Sequence, residues 1–294
     1  MSRPIRSFLF VPGDSEKKLG KVAGSTADAV ILDLEDSVSE GRKALARDMV
    51  SEFIVGQLHD EAGPQLWVRI NPLDGEHALA DLATIVPAAP SGIMIPKIAG
   101  PEDVLRVDHY LEALETSHGL ETGSIRLLPV ATETPIAPFR LGDFAAAAIS
   151  RLYGLTWGAE DLSAALGAST NLGLDGNWAT TYQIVRSLTL MGAHAAAIEA
   201  VETLYVDIRD DAGLAESSRR ARAEGFSGRI AIHPAQVGTI NAAFTPSEAE
   251  IEHAHRVVAA FAEDVGTVAL DGKMLDMPHL VQARKVLALA ESVA

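Results

Sequence analysis

Eight short apolar runs, each followed by residues patterned for a helix, constrain this chain more than any other feature. They lie at residues 7–11, 29–34, 66–70, Gly92–Ile95, 125–130, 152–157, a seventh between 195 and 208, and 229–232. Apolar, β-branched runs alternating with helical segments are the mark of βα units and a parallel sheet. Eight of them in an α/β chain of 294 residues predict a (β/α)8 TIM barrel with a C-terminal helical extension. The 48% hydrophobic content is enough to fill one large core.

The seventh run has two candidate strands, 195–201 and 204–208. Gly192 reads as a helix C-cap, and a short helix-to-strand loop then favours 195–201. Helix starts are marked by Asp14 or Ser15, by Gly100-Pro101, and by Asp143 ahead of the helix-favouring run 144–149. The composition breaks after Phe244. Thr245-Pro246-Ser247-Glu248 has capping-box spacing with proline at the first helical position, so a ninth helix is expected to about residue 262. A loop then leads to a last amphipathic helix over 278–292. Two parts follow: a barrel over 1–244 and a helical extension over 245–294.

Charge and composition exclude several classes. With 40 acidic residues against 24 Lys plus Arg, the net charge is -16, which disfavours nucleic acid and anionic membrane as partners. There is no cysteine, so disulfides, thiolate nucleophiles and Cys-ligated metals are out, and a cytoplasmic setting is the simplest expectation. The N-terminal apolar run meets Pro12-Gly13 too soon for a signal peptide, and no stretch is long enough for a membrane span.

Barrel active sites lie where strands end at their C-terminal side. The residues that end the runs are Pro12-Gly13-Asp14, Asp33 to Asp36 with Glu35 between, Arg69 and Asn71, Lys97, Glu133, Glu160-Asp161, Glu199 and His233. Any one acid after a strand reads as a helix N-cap. Acids at several strand ends around one rim would repel unless a cation, Arg69 or Lys97 compensated, which favours a metal. Oxygen donors with no His or Cys pair point to Mg2+, with Mn2+ as a substitute, and Arg69 has the planar fork to grip a substrate carboxylate. Arg3, Arg6, Lys17, Lys18 and Lys21 read either as ordinary surface or as a phosphate cradle beside a helix start. His233 reads mainly as a strand-end structural histidine. No dinucleotide fingerprint, P-loop, nucleophile elbow or H-E-x-x-H motif occurs.

Seven motifs in order, R-S-F-L-F-V-P-G-D (6–14), D-A-V-I-L-D-L-E-D-S-V (28–38), V-R-I-N (68–71), I-P-K (95–97), G-A-E-D-L (158–162), A-I-H-P-A-Q-V (231–237) and D-G-K-M-L-D (271–276), resemble the citrate lyase beta-subunit-like family of CoA ester lyases. The resemblance spans nearly the whole chain. It implies a Mg2+-dependent lyase that cleaves a 3-hydroxyacyl-CoA of malyl-CoA or citramalyl-CoA type to acetyl-CoA and a 2-oxo acid. Thioester hydrolysis, the beta subunit's reaction on a carrier-protein thioester, and a non-catalytic sensor of keto acid or CoA stand as alternatives. The implied metal ligands are Glu133 and Asp161. Arg69, the backbone around Gly158, Ala159 and Glu160, and Glu35 with Asp36 would bind substrate, while Lys17, Lys18 and His233 would serve CoA. Asp276 matches the family's catalytic acid/base, carried on a C-terminal loop that covers a neighbouring subunit's active site in a homo-oligomer, trimer or hexamer.

Overall fold

The computed structural model describes residues 4–57, 63–261 and 266–293. Eight parallel strands form one sheet: β1 (Ser7–Pro12), β2 (Ala29–Asp33), β3 (Gln65–Arg69), β4 (Gly92–Ile95), β5 (Arg126–Pro129), β6 (Gly154–Thr156), β7 (Glu199–Glu202) and β8 (Gly228–Ala231). Their order, β5-β4-β3-β2-β1-β8-β7-β6, brings the last strand round to the fifth. There the Leu127 amide donates to the Arg151 carbonyl at 2.9 Å and the Ala131 amide to the Thr156 carbonyl at 2.8 Å, closing a TIM barrel.

Alternation along each strand sorts the side chains. Phe8, Ile31, Trp67, Met94, Leu128 and Ile230 point inward and fill the barrel. Leu9, Val30, Leu32, Val68 and Ile93 point outward under the helices α2 (Lys43–Gln57), α3 (Ala78–Ile85) and α4 (Pro101–Ser117). Phe8 meets Trp67 edge to face at 5.6 Å, and Arg126 stacks between Trp67 and Tyr153, so the lower barrel is plugged. The other helices of the barrel are α1 (Glu16–Leu19), α5 (Ala159–Ala165), α6 (Thr180–Ala195), α7 (Asp211–Glu224) and α8 (Pro234–Phe244). No helix among the described residues is long and apolar enough to cross a membrane.

Several expectations are corrected. Helix α6 runs through Gly192 to Ala195, so the seventh strand is the end of the earlier candidate, Glu199–Glu202, and not 195–201 as a whole. Glu199 therefore starts β7, at the opposite end of the barrel from the rim. Asp143 does not precede a helix over 144–149. It lies inside a 3-10 stretch, Ala137–Ala146, that Pro138 starts early. The capping box that starts α9 (Glu248–Ala260) is Ser247 with Glu250, two residues beyond the expected one. Thr245 is engaged elsewhere, donating to the Asn241 carbonyl at 2.8 Å and accepting from Arg6 Nη1 at 2.9 Å. The expected end of that helix at residue 262 lies outside the described residues.

The loop expected after α9 is a β-hairpin, β9 (Thr267–Leu270) and β10 (Lys273–Asp276), turning through Asp271 and Gly272 at φ 50° and 75°. It leads into α10 (Met277–Val293), as expected. Leu275, Leu280 and Ala283 pack on Ala254, Val257 and Phe261, giving this C-terminal segment an apolar cluster of its own.

Beside the barrel, Arg151 is buried against Glu115, with Nη1 to Oε1 at 2.7 Å and Nη2 to Oε2 at 2.9 Å, and with Asp108 at 2.5 Å. Arg151→Met removes the cation from a carboxylate that is fully out of water. The expected loss is about 3 kcal/mol of unfolding free energy, read from the urea midpoint.

Candidate active site

Register places the rim. Asp33 ends β2 directly opposite Arg69 at the end of β3, and Ile95 on β4 is opposite Pro129 on β5. Cross-strand neighbours thus bring their side chains together without any loop. Arg69 Nε and Nη2 each donate to one Asp33 oxygen at 2.7 Å, a fork-to-fork pair, and the guanidinium lies 4.6 Å over the Phe10 ring. Burial alone would push the Asp33 carboxyl up, but the Arg69 fork outweighs it and holds it below its ordinary value. One edge of the Arg69 fork is therefore committed to Asp33, and Nη1 faces Glu35 Oε2 at 2.9 Å in an ion pair too poorly aligned to be a hydrogen bond. Its uncommitted donors are the remaining Nη hydrogens.

Lys97 gathers the next group. Its Nζ bonds Glu35 Oε1, lies 3.2 Å from Asp36 and 3.6 Å from Asp161, and its charge is favoured by Glu35 against the opposing effect of burial. Its backbone sits at φ 53°, rare for a residue with a side chain, and this turns its amide onto Glu133 Oε2 at 2.7 Å. The sequence gives no sign of that conformation.

Glu133 is buried, and its carboxyl is pushed up to about 8, first by burial and then by the charge of Asp161. Asp161 comes from the first turn of α5, whose N-cap is Gly158. The Gly158 amide donates to Thr132 Oγ1 at 3.0 Å, and a Cβ at position 158 would lie 3.0 Å from Glu133 Cγ. Glycine lets this backbone press against the buried acid. The Gly158 amide is held by Thr132, while the Ala159 and Glu160 amides bond the Glu160 carboxylate, whose ionisation burial nonetheless disfavours. Glu160 is exposed overall yet also lines the barrel-mouth cavity, with Asn171 Nδ2 at 3.4 Å from its Oε1.

Glu133 and Asp161 line one small cavity of about 80 Å3 at the barrel mouth, walled by Phe10, Met94, Val130 and Ile230. Among the described residues, no group of three or more His, Cys, Asp or Glu side chains converges on a metal position. The pair nevertheless fits a hard divalent cation: two carboxylate donors, one buried and destabilised by the other's charge, with neighbouring space for water or substrate oxygens.

A second cleft of about 580 Å3 opens between β1 and β8, with Lys18, Lys21 and His233 beside apolar Phe10, Val22 and Ile232. Lys17 is not among its lining residues, and His233 also caps α8 by accepting from the Ala235 amide at 3.2 Å. Arg6 lies away from this cleft, bonded to Asp28 at 2.8 Å at the start of β1, and Arg3 lies outside the described residues. Asp276 is not among the residues that line the barrel-mouth cavity of its own chain. It is half-exposed at the end of β10, with Oδ1 2.6 Å from His279 Nδ1. Sequence reasoning missed Glu202, the buried acid that ends β7, because it placed that strand too early.

A closed parallel barrel with its titratable side chains collected at the C-terminal rim defines an enzyme of the barrel class. The chain belongs to the HpcH/HpaI aldolase/citrate lyase family, whose model matches residues 6–234, and is a carbon-carbon lyase. It is 35% identical to citrate lyase subunit beta of Escherichia coli strain K12 over 99% of this chain and 94% of that protein. It is 33% identical to mitochondrial citramalyl-CoA lyase of Rattus norvegicus over 99% and 87%. The solved structure of CitE from Mycobacterium tuberculosis, in complex with magnesium, acetoacetate and coenzyme A, aligns at a TM-score of 0.80 and 31% identity over 98% of both chains.

Proposed function

We propose that the chain is a Mg2+-dependent CoA ester lyase that cleaves a malyl-CoA or citramalyl-CoA type 3-hydroxyacyl-CoA to acetyl-CoA and glyoxylate or pyruvate. The observation that carries this is the Glu133 and Asp161 carboxylate pair at the barrel mouth beside Arg69. Relatives bound to magnesium and coenzyme A support the same reading.

Glu133 and Asp161 would hold the ion. When bound, Mg2+ supplies Lewis-acid polarisation of the substrate's hydroxyl and carboxylate oxygens. Arg69, fixed by Asp33 and Phe10, directs its remaining Nη donors at the substrate carboxylate. Glu35 and Asp36 hold Lys97 beside that carboxylate, and the turn from Gly158 to Glu160 closes the other side. Phe10, Met94, Val130 and Ile230 keep water from the carbon-carbon bond that breaks. As the carbon-carbon bond breaks, the substrate hydroxyl gives its proton to the Asp276 carboxylate of a neighbouring subunit and its carbon becomes the keto carbon; the electron pair is left on the acetyl-CoA enolate, whose terminal carbon then takes that proton back from Asp276. Lys18 and His233, in the cleft adjoining Phe10, bind CoA, with Lys21 joining them. The homo-oligomer this requires is supported by the self-contained C-terminal cluster and by exposed Met274 and Val281 on its surface.

The test is an assay with malyl-CoA and citramalyl-CoA that follows keto acid and free CoA separately, with Mg2+ and with EDTA. Keto acid released only with Mg2+ is expected, and the better substrate names the acyl chain. Free CoA without keto acid would replace this reading with a thioesterase. Thermal stabilisation by CoA or keto acid without turnover would replace it with a sensor.

A further inference from the structure

The acid that the sequence hides at the end of β7 has an unusual set of partners. Glu202 is 1% exposed and does not line the cavity at the barrel mouth. Its Oε1 accepts from Trp157 Nε1 at 2.7 Å and from the Thr203 amide at 2.9 Å, and its Oε2 accepts from Arg186 Nε at 2.6 Å. Arg229 Nη2 stands 3.9 Å from the same oxygen. Trp157 immediately precedes Gly158, and its ring, fully buried, meets Trp178 edge to face at 5.3 Å.

We infer that Glu202 is a positioning residue for the metal site, acting through Trp157. The physical route is short. The indole is a flat plate wedged between the Glu202 carboxylate and Trp178, so it can neither rotate nor slide without breaking a charge-assisted hydrogen bond in a dry setting. Its backbone continues into Gly158, where an added Cβ would crowd the Glu133 side chain at 3.0 Å. One turn later is Asp161. Fixing Trp157 therefore fixes the distance between the carboxylates of Glu133 and Asp161. Arg186 and Arg229 compensate the buried charge so that it can serve as an acceptor.

A purely structural Glu202 would matter only as the counter-charge to Arg186 and Arg229. Two variants separate the roles. Glu202→Gln weakens the compensation of both arginines and the bond to Trp157 together. Trp157→Phe removes the N–H while leaving Glu202 with Arg186, and it decides the matter alone should Glu202→Gln not fold.

The inference rests on the reading that Glu133 and Asp161 hold Mg2+, so the measurement is Mg2+ affinity by titration calorimetry on wild type, Glu133→Gln and both variants, with tryptophan fluorescence of the metal-free proteins alongside. A rise of about 10-fold in the Mg2+ dissociation constant is expected for Trp157→Phe, and at least that for Glu202→Gln. Metal-free Glu202→Gln should also show altered fluorescence. Folded variants that bind Mg2+ as wild type does, while Glu133→Gln has lost it, overturn the positioning role alone. Wild-type affinity in Glu133→Gln overturns the metal reading beneath it.

Discussion

Glu133→Gln should abolish Mg2+ binding and lower lyase turnover by at least about 10^3-fold, the several kcal/mol that Lewis-acid assistance contributes, while leaving the metal-free fold intact. The argument begins with burial. The Glu133 carboxyl lies against Gly158 and the Lys97 amide, and among the described residues its hydrogen bond is from that amide. A glutamine carbonyl can accept the same bond in the same volume. What the glutamine cannot supply is the second negative charge beside Asp161.

The sign of the pH dependence follows. Glu133 is pushed up to about 8 in the fold, above its ordinary value of 4.5, because burial and Asp161 oppose its ionisation. A raised acid contributes stability that is fully present below 4.5 and lost as pH rises through 8. Metal-free wild type should thus lose stability across this interval relative to Glu133→Gln, and the variant should melt higher at pH 8.5. Added Mg2+ should restore wild type and leave the variant unchanged. Because the ion must displace a proton below pH 8, its affinity for wild type should fall by about tenfold per pH unit there. Melting curves at pH 6.5 and 8.5 with and without Mg2+ check all three. An equal Mg2+ response in both proteins would refute the assignment of this ligand.

Most of the barrel was legible because short buried strands carry their signal locally: an apolar, β-branched run stops on a polar rim residue. The seventh failed for a non-local reason. The stretch from Met191 to Ala197 has strong helix formers, and Gly192, which reads as a stop, is instead the point where α6 crosses the 3-10 stretch, with the Leu141 carbonyl only 2.7 Å from where a Cβ would sit. No pattern within the helix announces a neighbour 51 positions away in sequence. That single shift moved the rim acid from Glu202 to Glu199. The rim was similarly legible in membership but not in pairing. Arg69 reads as a free fork, and only strand register reveals that Asp33 holds one edge of it. The left-handed turn at Lys97 has no glycine or asparagine to mark it, yet it aims the amide that holds Glu133.

Mixing two inactive variants, Glu133→Gln and Asp276→Asn, should restore activity. In its own chain Asp276 stands at the end of β10, half-exposed, and its carboxylate meets only His279 of the following turn among the contacts seen. The residues lining the barrel-mouth cavity all come from the barrel. If Asp276 acts as the acid/base, it must reach the cavity of another copy; α9, the hairpin and α10 share one apolar cluster and would carry Asp276 there as a unit. Each single variant disables every site in its own oligomer, by a lost metal ligand in one and a lost proton donor in the other. Subunits exchanged between the two form sites with an intact Glu133 from one chain and an intact Asp276 from the other. In a trimer mixed at equal ratio, each barrel has a half chance of being intact and a half chance of facing an intact Asp276, so about a quarter of wild-type activity should return. Denaturation and joint refolding, followed by the Mg2+-dependent assay, reads the result. Separately refolded variants should remain inactive. If the joint sample also remains inactive although mixed oligomers are present by mass, Asp276 acts within its own chain or not at all.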